Sequence, residues 1–268
     1  MSDDISDIRA FYDDGAEKEH ARLEQRQLEY EMTLRYLSTY LPAQGSILEV
    51  GAATGRYTLE LAKRGYNIVA VDLSGEQLEI NRKNLAAAGL ESQARMVVAD
   101  ARDMREITGE FDAVLLMGPL YHLIVEADRK ATLQQAFDRL RTGGVLLSVF
   151  LSRSGLMNDL IYRHPDWIEN RPEVESILAR GRRADGEPPG GFRAYFAPTT
   201  EIVPLHEAVG FETVTLAGLE AGIGAHDEDY NLLEGTRRDL WLDLLYGISA
   251  EPSIVGASRH VLYVGKKG

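Results

Sequence analysis

Short apolar blocks alternate along the chain with stretches in which apolar residues recur every three or four positions, a pattern that predicts parallel strands covered by helices. The first block, Ile47-Leu48-Glu49-Val50, runs directly into glycine. Later blocks are Ile68-Val69-Ala70-Val71, Met96-Val97-Val98-Ala99, Phe111 to Met117 and Val145 to Leu151. Continuous apolar runs of this kind suit strands buried on both faces. Helices are expected from about Thr54 to Lys63, from Ser74 to Gly89, and over a segment with Leu133, Phe137 and Leu140 on one side that returns to Gly143-Gly144. Ser74-Gly75-Glu76-Gln77 has the Ser-x-x-Gln form of a capping box.

One helix is expected ahead of the first strand, from about Glu17 to Leu41, stopped by Pro42. Past residue 151 the alternation breaks. A helical piece from Trp167 to Arg180 leads into a turn-rich loop, Gly186-Glu187-Pro188-Pro189-Gly190-Gly191. A short helix near Thr199, a strand from Phe211 to Leu219, a helix from Thr236 to Tyr246 and a last strand from His260 to Val264 complete the chain.

Candidate chemistry collects where strands end. Glu49-Val50-Gly51-Ala52-Ala53-Thr54-Gly55 joins the first strand to its helix, and glycine there lets the backbone turn sharply and pass close to a ligand. The same residues would serve a plain strand–helix turn. Asp72 ends the second strand, 21 positions beyond Gly51, where an acid can accept both hydroxyls of a ribose; a helix-flanking aspartate beside Ser74 is the bland alternative. Asp100, after the third strand, can accept from an adenine amino group or merely cap a helix. All three fall at carboxyl ends of successive strands, the edge at which open α/β sheets bind ligands. Three independent caps have no need of that arrangement.

These segments resemble the class I S-adenosylmethionine (SAM)-dependent methyltransferases, through Ile47 to Gly55, Val69-Ala70-Val71-Asp72-Leu73-Ser74, Val98-Ala99-Asp100-Ala101 and Phe111-Asp112-Ala113-Val114. The resemblance covers residues 45 to 151 well and the final strand pair more loosely. It implies an α/β fold with a Rossmann-like, seven-stranded doubly wound sheet whose last strand is antiparallel. It also implies four parts: an N-terminal helical cover (1–44), a SAM-binding core (45–151), an acceptor-lid insertion (152–210), and C-terminal strands with a helical insertion (211–268). By the same resemblance Glu49, Gly51 and Ala52 face the methionine end of SAM, Asp72 and Leu73 the ribose, and Asp100 and Ala101 the adenine. Met117 closes the pocket through its backbone, and Tyr12 and Arg22 reach over from the cover toward the methionine carboxylate. Ala52 and Ala53 stand where many members carry glycine or other residues. An NAD(P) oxidoreductase shares the sheet and the ribose acid, but its Gly-x-Gly-x-x-Gly fingerprint is broken by Ala53.

Met117-Gly118-Pro119-Leu120-Tyr121-His122 follows the fourth strand, beside the expected place of the transferable methyl. His122 is the candidate general base and Tyr121 its shaping partner; a histidine packed at a helix start is the alternative. The net charge of −13 weighs against nucleic acid and favours a small-molecule acceptor, with a tRNA or rRNA methyltransferase as the second reading. Arg180, Arg182 and Arg183 form the basic cluster that would favour RNA. With no cysteine and six scattered histidines, no metal is expected. No apolar run approaches membrane-spanning length, so no membrane partner and a cytoplasmic location are expected. S-adenosylhomocysteine (SAH) would be the product.

Overall fold

The computed structural model describes residues 3–183, 193–223 and 227–268; the glycine/proline-rich loop at 186–191 lies outside the described residues. Eight strands form one sheet: β1 (Ser46–Val50), β2 (Asn67–Asp72), β3 (Ala94–Val98), β4 (Phe111–Leu116), β5 (Leu140–Ser152), β6 (Phe196–Ala197), β7 (Phe211–Gly218) and β8 (His260–Lys267). Seven run in the order β3-β2-β1-β4-β5-β8-β7, and the two-residue β6 pairs with β5 off this path. β1 to β5 are mutually parallel, whereas β8 is antiparallel to both its neighbours. This is the Rossmann-like architecture of the class I methyltransferases, with one short strand added.

The chain lays down β1, β2 and β3 in one direction and then returns to place β4 on the other side of β1. The crevice between the ends of β1 and β4 is therefore the switch point at which such sheets bind ligands. Side chains alternate faces along each strand. Ile47, Leu115 and Leu147 join Leu28, Met32, Leu37 and Leu61 in one core layer. Leu48, Leu116 and Leu146 join Leu133, Phe150 and Tyr263 in the other. Both faces are thus covered, which explains the unbroken apolar runs.

Several elements depart from the sequence pattern. The single helix expected over Glu17–Leu41 is two, α2 (Ala16–Gln25) and α3 (Gln27–Tyr40), and a further helix, α1 (Ser6–Asp14), precedes them. The chain breaks at Gly15 and again at Arg26, whose φ of −92° and ψ of 67° are not helical. The bends let α3 bury Leu28, Met32 and Leu37 completely while α1 crosses the strand ends. A helix at Arg153–Arg163 was not foreseen, and Trp167 sits in a 3-10 turn (Pro165–Glu169) ahead of the helix Arg171–Arg180. β5 begins at Leu140, so Gly143-Gly144 lies within a strand rather than before one. Half of the capping box forms: Ser74 Oγ accepts from the Gln77 N–H at 3.1 Å, but the Gln77 amide donates to the Tyr12 carbonyl at 3.4 Å instead of reaching back. Among the described residues, no helix is long and apolar enough to cross a membrane.

Candidate functional site

A cavity of about 1200 Å³, its open mouth included, lies over the carboxyl ends of β1, β2, β3 and β4. Its walls include Gly51, Ala52, Asp72, Leu73, Asp100, Ala101 and Met117, with Ile5, Ile8 and Tyr12 of α1 across it. The structure therefore brings together most of the residues expected to hold a nucleotide-like ligand. Glu49 is the exception.

The turn after β1 is built on left-handed backbone. Gly51, Ala53 and Gly55 have φ of 79°, 48° and 89°. A side chain at Gly51 would meet Pro119 Cδ at 2.9 Å and the Met117 carbonyl at 3.0 Å; one at Gly55 would collide with the Asn81 amide. Ala53 occupies the left-handed region without being glycine, a conformation that costs an L-residue about 1–2 kcal/mol. Its N–H donates to Asp72 Oδ2 at 2.9 Å, and Ser74 N–H donates to Oδ1 at 2.9 Å. Asp72 thus spans turn and strand, and each oxygen retains a further lone pair toward the cavity. Burial raises its pKa, against the pull of those backbone donors.

Glu49 does not line the cavity and is completely buried. Thr58 donates to its Oε2 at 2.7 Å, and Oε1 has no partner among the described residues. Burial pushes its carboxyl up to about 8, only partly offset by the Thr58 bond. The expected direct contact with the methionine end is corrected on this point: residues of β1 alternate faces, and position 49 turns under the loop toward the helix Arg56–Lys63. Asp100 lines the cavity, but its carboxylate is held by Arg102, with Nη2 to Oδ2 at 2.6 Å and Nε to Oδ1 at 3.0 Å.

His122, the candidate base, lines the cavity and is hydrogen-bonded at both ring nitrogens. Its Nδ1 lies 2.7 Å from the Arg193 carbonyl, which has no proton to give, so Nδ1 carries the hydrogen. Nε2 then accepts from the Tyr12 hydroxyl at 2.8 Å. Both nitrogens are committed, and burial drives the imidazole down to about 4 despite the Arg193 bond. A weak, fully engaged base suits holding α1 in place better than abstracting a proton. Tyr121 lines the cavity, and burial raises its hydroxyl pKa. Arg22 lines it too, with its guanidinium bidentate on Glu19 at 2.7 and 2.6 Å.

Sequence reasoning missed Arg193 and the acidic end of the cavity. The Arg193 guanidinium donates to the Asp4 carbonyl at 2.7 Å and to Asp7 at 2.9 Å, and pairs with Asp3, so the residue that fixes His122 also ties down the start of α1. Glu19, Glu29, Arg56, Tyr57, Val149 and His260 line the cavity as well. His260 was read only as the first residue of a strand. Its partner Glu220 is 40 residues away, just past the end of β7, and the β7–β8 pairing brings the two together. Arg183 pairs with Glu173 at 3.1 Å and Arg180 donates to Ser176, so two of the three clustered arginines are held within their own segment. Among the described residues, no group of three or more His, Asp or Glu could hold a metal ion.

Residues 47–144 match a family described as a methyltransferase domain. YqeM of Bacillus subtilis, a proposed methyltransferase, is 30% identical over 122 residues, 44% of this chain and 47% of that protein. The tRNA 5-carboxymethoxyuridine methyltransferase of Escherichia coli is 25% identical over 50% of this chain and 51% of its own. The chain thus spans about half the length of these curated relatives. A glycine/sarcosine N-methyltransferase of Aphanothece halophytica is 29% identical over 64% of this chain and 68% of its own. Among solved structures, the magnesium protoporphyrin IX methyltransferase of Synechocystis, with bound SAH, superposes with a TM-score of 0.63 at 13% identity, covering 99% of this chain and 100% of that one. That likeness concerns the fold, and it extends well beyond the matched domain. The matched methyltransferase domain thus lies on the strands whose ends build the cavity, within a chain that shares the fold of the class I SAM-dependent methyltransferases.

Proposed function

We propose that the protein transfers the methyl group of SAM to a small-molecule acceptor. One observation carries the reading: Gly51, Asp72, Asp100 and Met117, from four different strand ends, line one cavity at the switch point of the sheet. The donor set suits the cofactor. Asp72 offers acceptors for ribose hydroxyls, and Leu73, Ala99 and Ala101 offer apolar surface for an adenine ring. Arg22 offers a cation for a carboxylate if Glu19 shares it. When bound, SAM supplies a methyl on a sulfonium, displaced in line, so much of the acceleration comes from holding the two reactants in contact.

The small-molecule reading is supported by the placing of Ile5, Ile8 and Tyr12 across the cavity, by the net charge of −13 and by the pairing of Arg180 and Arg183 within their own segment. Titration calorimetry tests the cofactor: SAM and SAH should bind, while NAD and NADP should not. Tight binding of NAD with none of SAH would reassign the site to hydride chemistry.

A further inference from the structure

The cavity holds a histidine that the expected cofactor contacts leave unused. His260 opens β8 opposite Leu151 of β5, two strands beyond β4. Neighbouring strands lie about 4.8 Å apart, so it stands roughly 10 Å from β4 and farther from the β1–β3 ends that form the cofactor side. Its Nδ1 is bonded to Glu220, whose other oxygen accepts from the His260 backbone N–H at 2.8 Å. Glu220 is completely buried. Arg259 Nη2 lies 3.5 Å from the oxygen that meets Nδ1, and a carboxylate beside a guanidinium is held as an acceptor. An ionised carboxylate can only accept, so Nδ1 donates. Arg259 Nε also lies 3.5 Å from Nδ1, at the limit of bonding range, and the closer Glu220 contact decides the proton's place.

That assignment leaves the ring's lone pair on Nε2. His260 is only 8% exposed, yet Nε2 is neither bonded nor sealed among the described residues, and the residue lines the cavity. Its open edge therefore faces the cavity. Glu29, projecting from α3, lines the same end, with Oε2 4.0 Å from His260 Nδ1. Neither Glu29 oxygen makes a hydrogen bond among the described residues. Glu19, by contrast, is committed to Arg22. An open carboxylate and an imidazole lone pair on the wall of one cavity form a receptor for a cation that must lose a proton. A carboxylate substrate would be repelled by Glu29, and a neutral alcohol would leave that charge without a partner.

Building on the methyltransferase reading, we propose that this corner binds an aliphatic amine as the methyl acceptor, with Glu29 holding the ammonium and His260 Nε2 taking its proton. Deprotonation frees the nitrogen lone pair. That pair forms the new N–C bond to the methyl carbon as the C–S bond breaks, and the C–S electron pair returns to sulfur as the SAH thioether. The proton on Nε2 leaves through the cavity mouth. Glu220 is a positioning residue that fixes the tautomer.

The test uses the full chain saturated with SAH and follows histidine ring resonances by NMR, with His260→Gln identifying the signal. Ethylammonium, propionate and 1-propanol are titrated as probes. The expected result is a ring hydrogen on His260 Nδ1 with Nε2 as the acceptor, and a saturable shift of its ring signals with ethylammonium alone. In Glu29→Gln that affinity should fall by at least about tenfold, the scale of one lost charge-assisted hydrogen bond, while calorimetric SAH binding stays at the wild-type value. The proposal is overturned by an Nε2–H tautomer, by no response to ethylammonium, by an equal response to propionate or propanol, or by undiminished binding in Glu29→Gln. Weakened SAH binding in Glu29→Gln would also overturn it, by making Glu29 a cofactor ligand. Failure of wild-type protein to bind SAH would remove the methyltransferase reading itself.

Discussion

The Tyr12 hydroxyl donates to His122 Nε2 at 2.8 Å, and this bond ties the helix over the cavity to the segment after β4. The histidine's other nitrogen bonds the Arg193 carbonyl, and the Arg193 side chain returns to Asp3, Asp4 and Asp7 at the start of α1. Asp13 at the other end of α1 accepts from Ser74 Oγ. Cofactor floor and helical roof are therefore joined at both ends of one short helix. A ligand placed in the cavity would touch both.

Tyr12→Phe should loosen that roof. Without the hydroxyl, buried His122 Nε2 loses its 2.8 Å bond, a loss of up to about 1–3 kcal/mol. Hydrogen exchange at α1 amides should accelerate, while exchange in β1 and β4 keeps its wild-type rate. Unchanged protection of α1 would show that the Arg193 contacts hold the helix unaided.

The buried histidines make stability depend on pH in a definite direction. His122 and His206 are both held at about 4 by burial, below the ordinary 6.5. Between those values the unfolded chain binds more protons, so stability rises with pH: full above 6.5 and declining as pH falls through 4. Each histidine contributes a slope of up to about 1.4 kcal/mol per pH unit. Urea melts of wild type and His122→Gln across pH 4 to 7 should converge toward the acid end. Parallel curves would mean that His122 ionises alike in both states.

Asp72→Ala should weaken SAH binding by about 1.5–3 kcal/mol, the worth of charged-acceptor hydrogen bonds to a ribose. It also strips the Ala53 and Ser74 N–H groups of their partner, so the loss must be measured on protein shown to be folded. Asp72→Asn keeps one acceptor and should fall between the two. Wild-type affinity in the alanine variant would place the ribose elsewhere.

The core strands were legible because parallel strands covered on both faces must be apolar throughout, and the Gly51, Asp72 and Asp100 trio was legible because strand ends can be counted. The cover was not. Gly15 and Arg26 break it without proline, and nothing near Arg26 signals a non-helical ψ. The helix Arg153–Arg163 was hidden by its weak face, with Ile161 67% and Tyr162 64% exposed. His122 was legible as a site residue, but base and packed histidine could not be told apart, because the residues that occupy its nitrogens come from positions 12 and 193. His260 was passed over for the same reason. Leu219 N–H bonds the His260 carbonyl, so aligning the two final strands was the signal that could have set Glu220 beside it.

The last prediction concerns Glu49, whose carboxyl is held at about 8 chiefly by burial. At neutral pH it is mainly protonated, and the native state binds more protons than the unfolded chain between the ordinary value of 4.5 and 8. Its contribution is therefore complete below 4.5 and is lost as the pH rises through 8. Glutamine at this position can still accept from Thr58, but its amide replaces an oxygen that has no partner among the described residues. The protonated acid has one O–H to satisfy there and the amide two N–H groups, and an unsatisfied buried donor costs about 1–3 kcal/mol, so Glu49→Gln should be the less stable protein at pH 5. It carries no charge to bury at high pH, and the gap should close and then reverse by about pH 9. Urea denaturation of both proteins from pH 5 to 9 reads the crossing. If the difference stays constant over that range, the carboxylate is ionised throughout, and a cation near Glu49 must be sought.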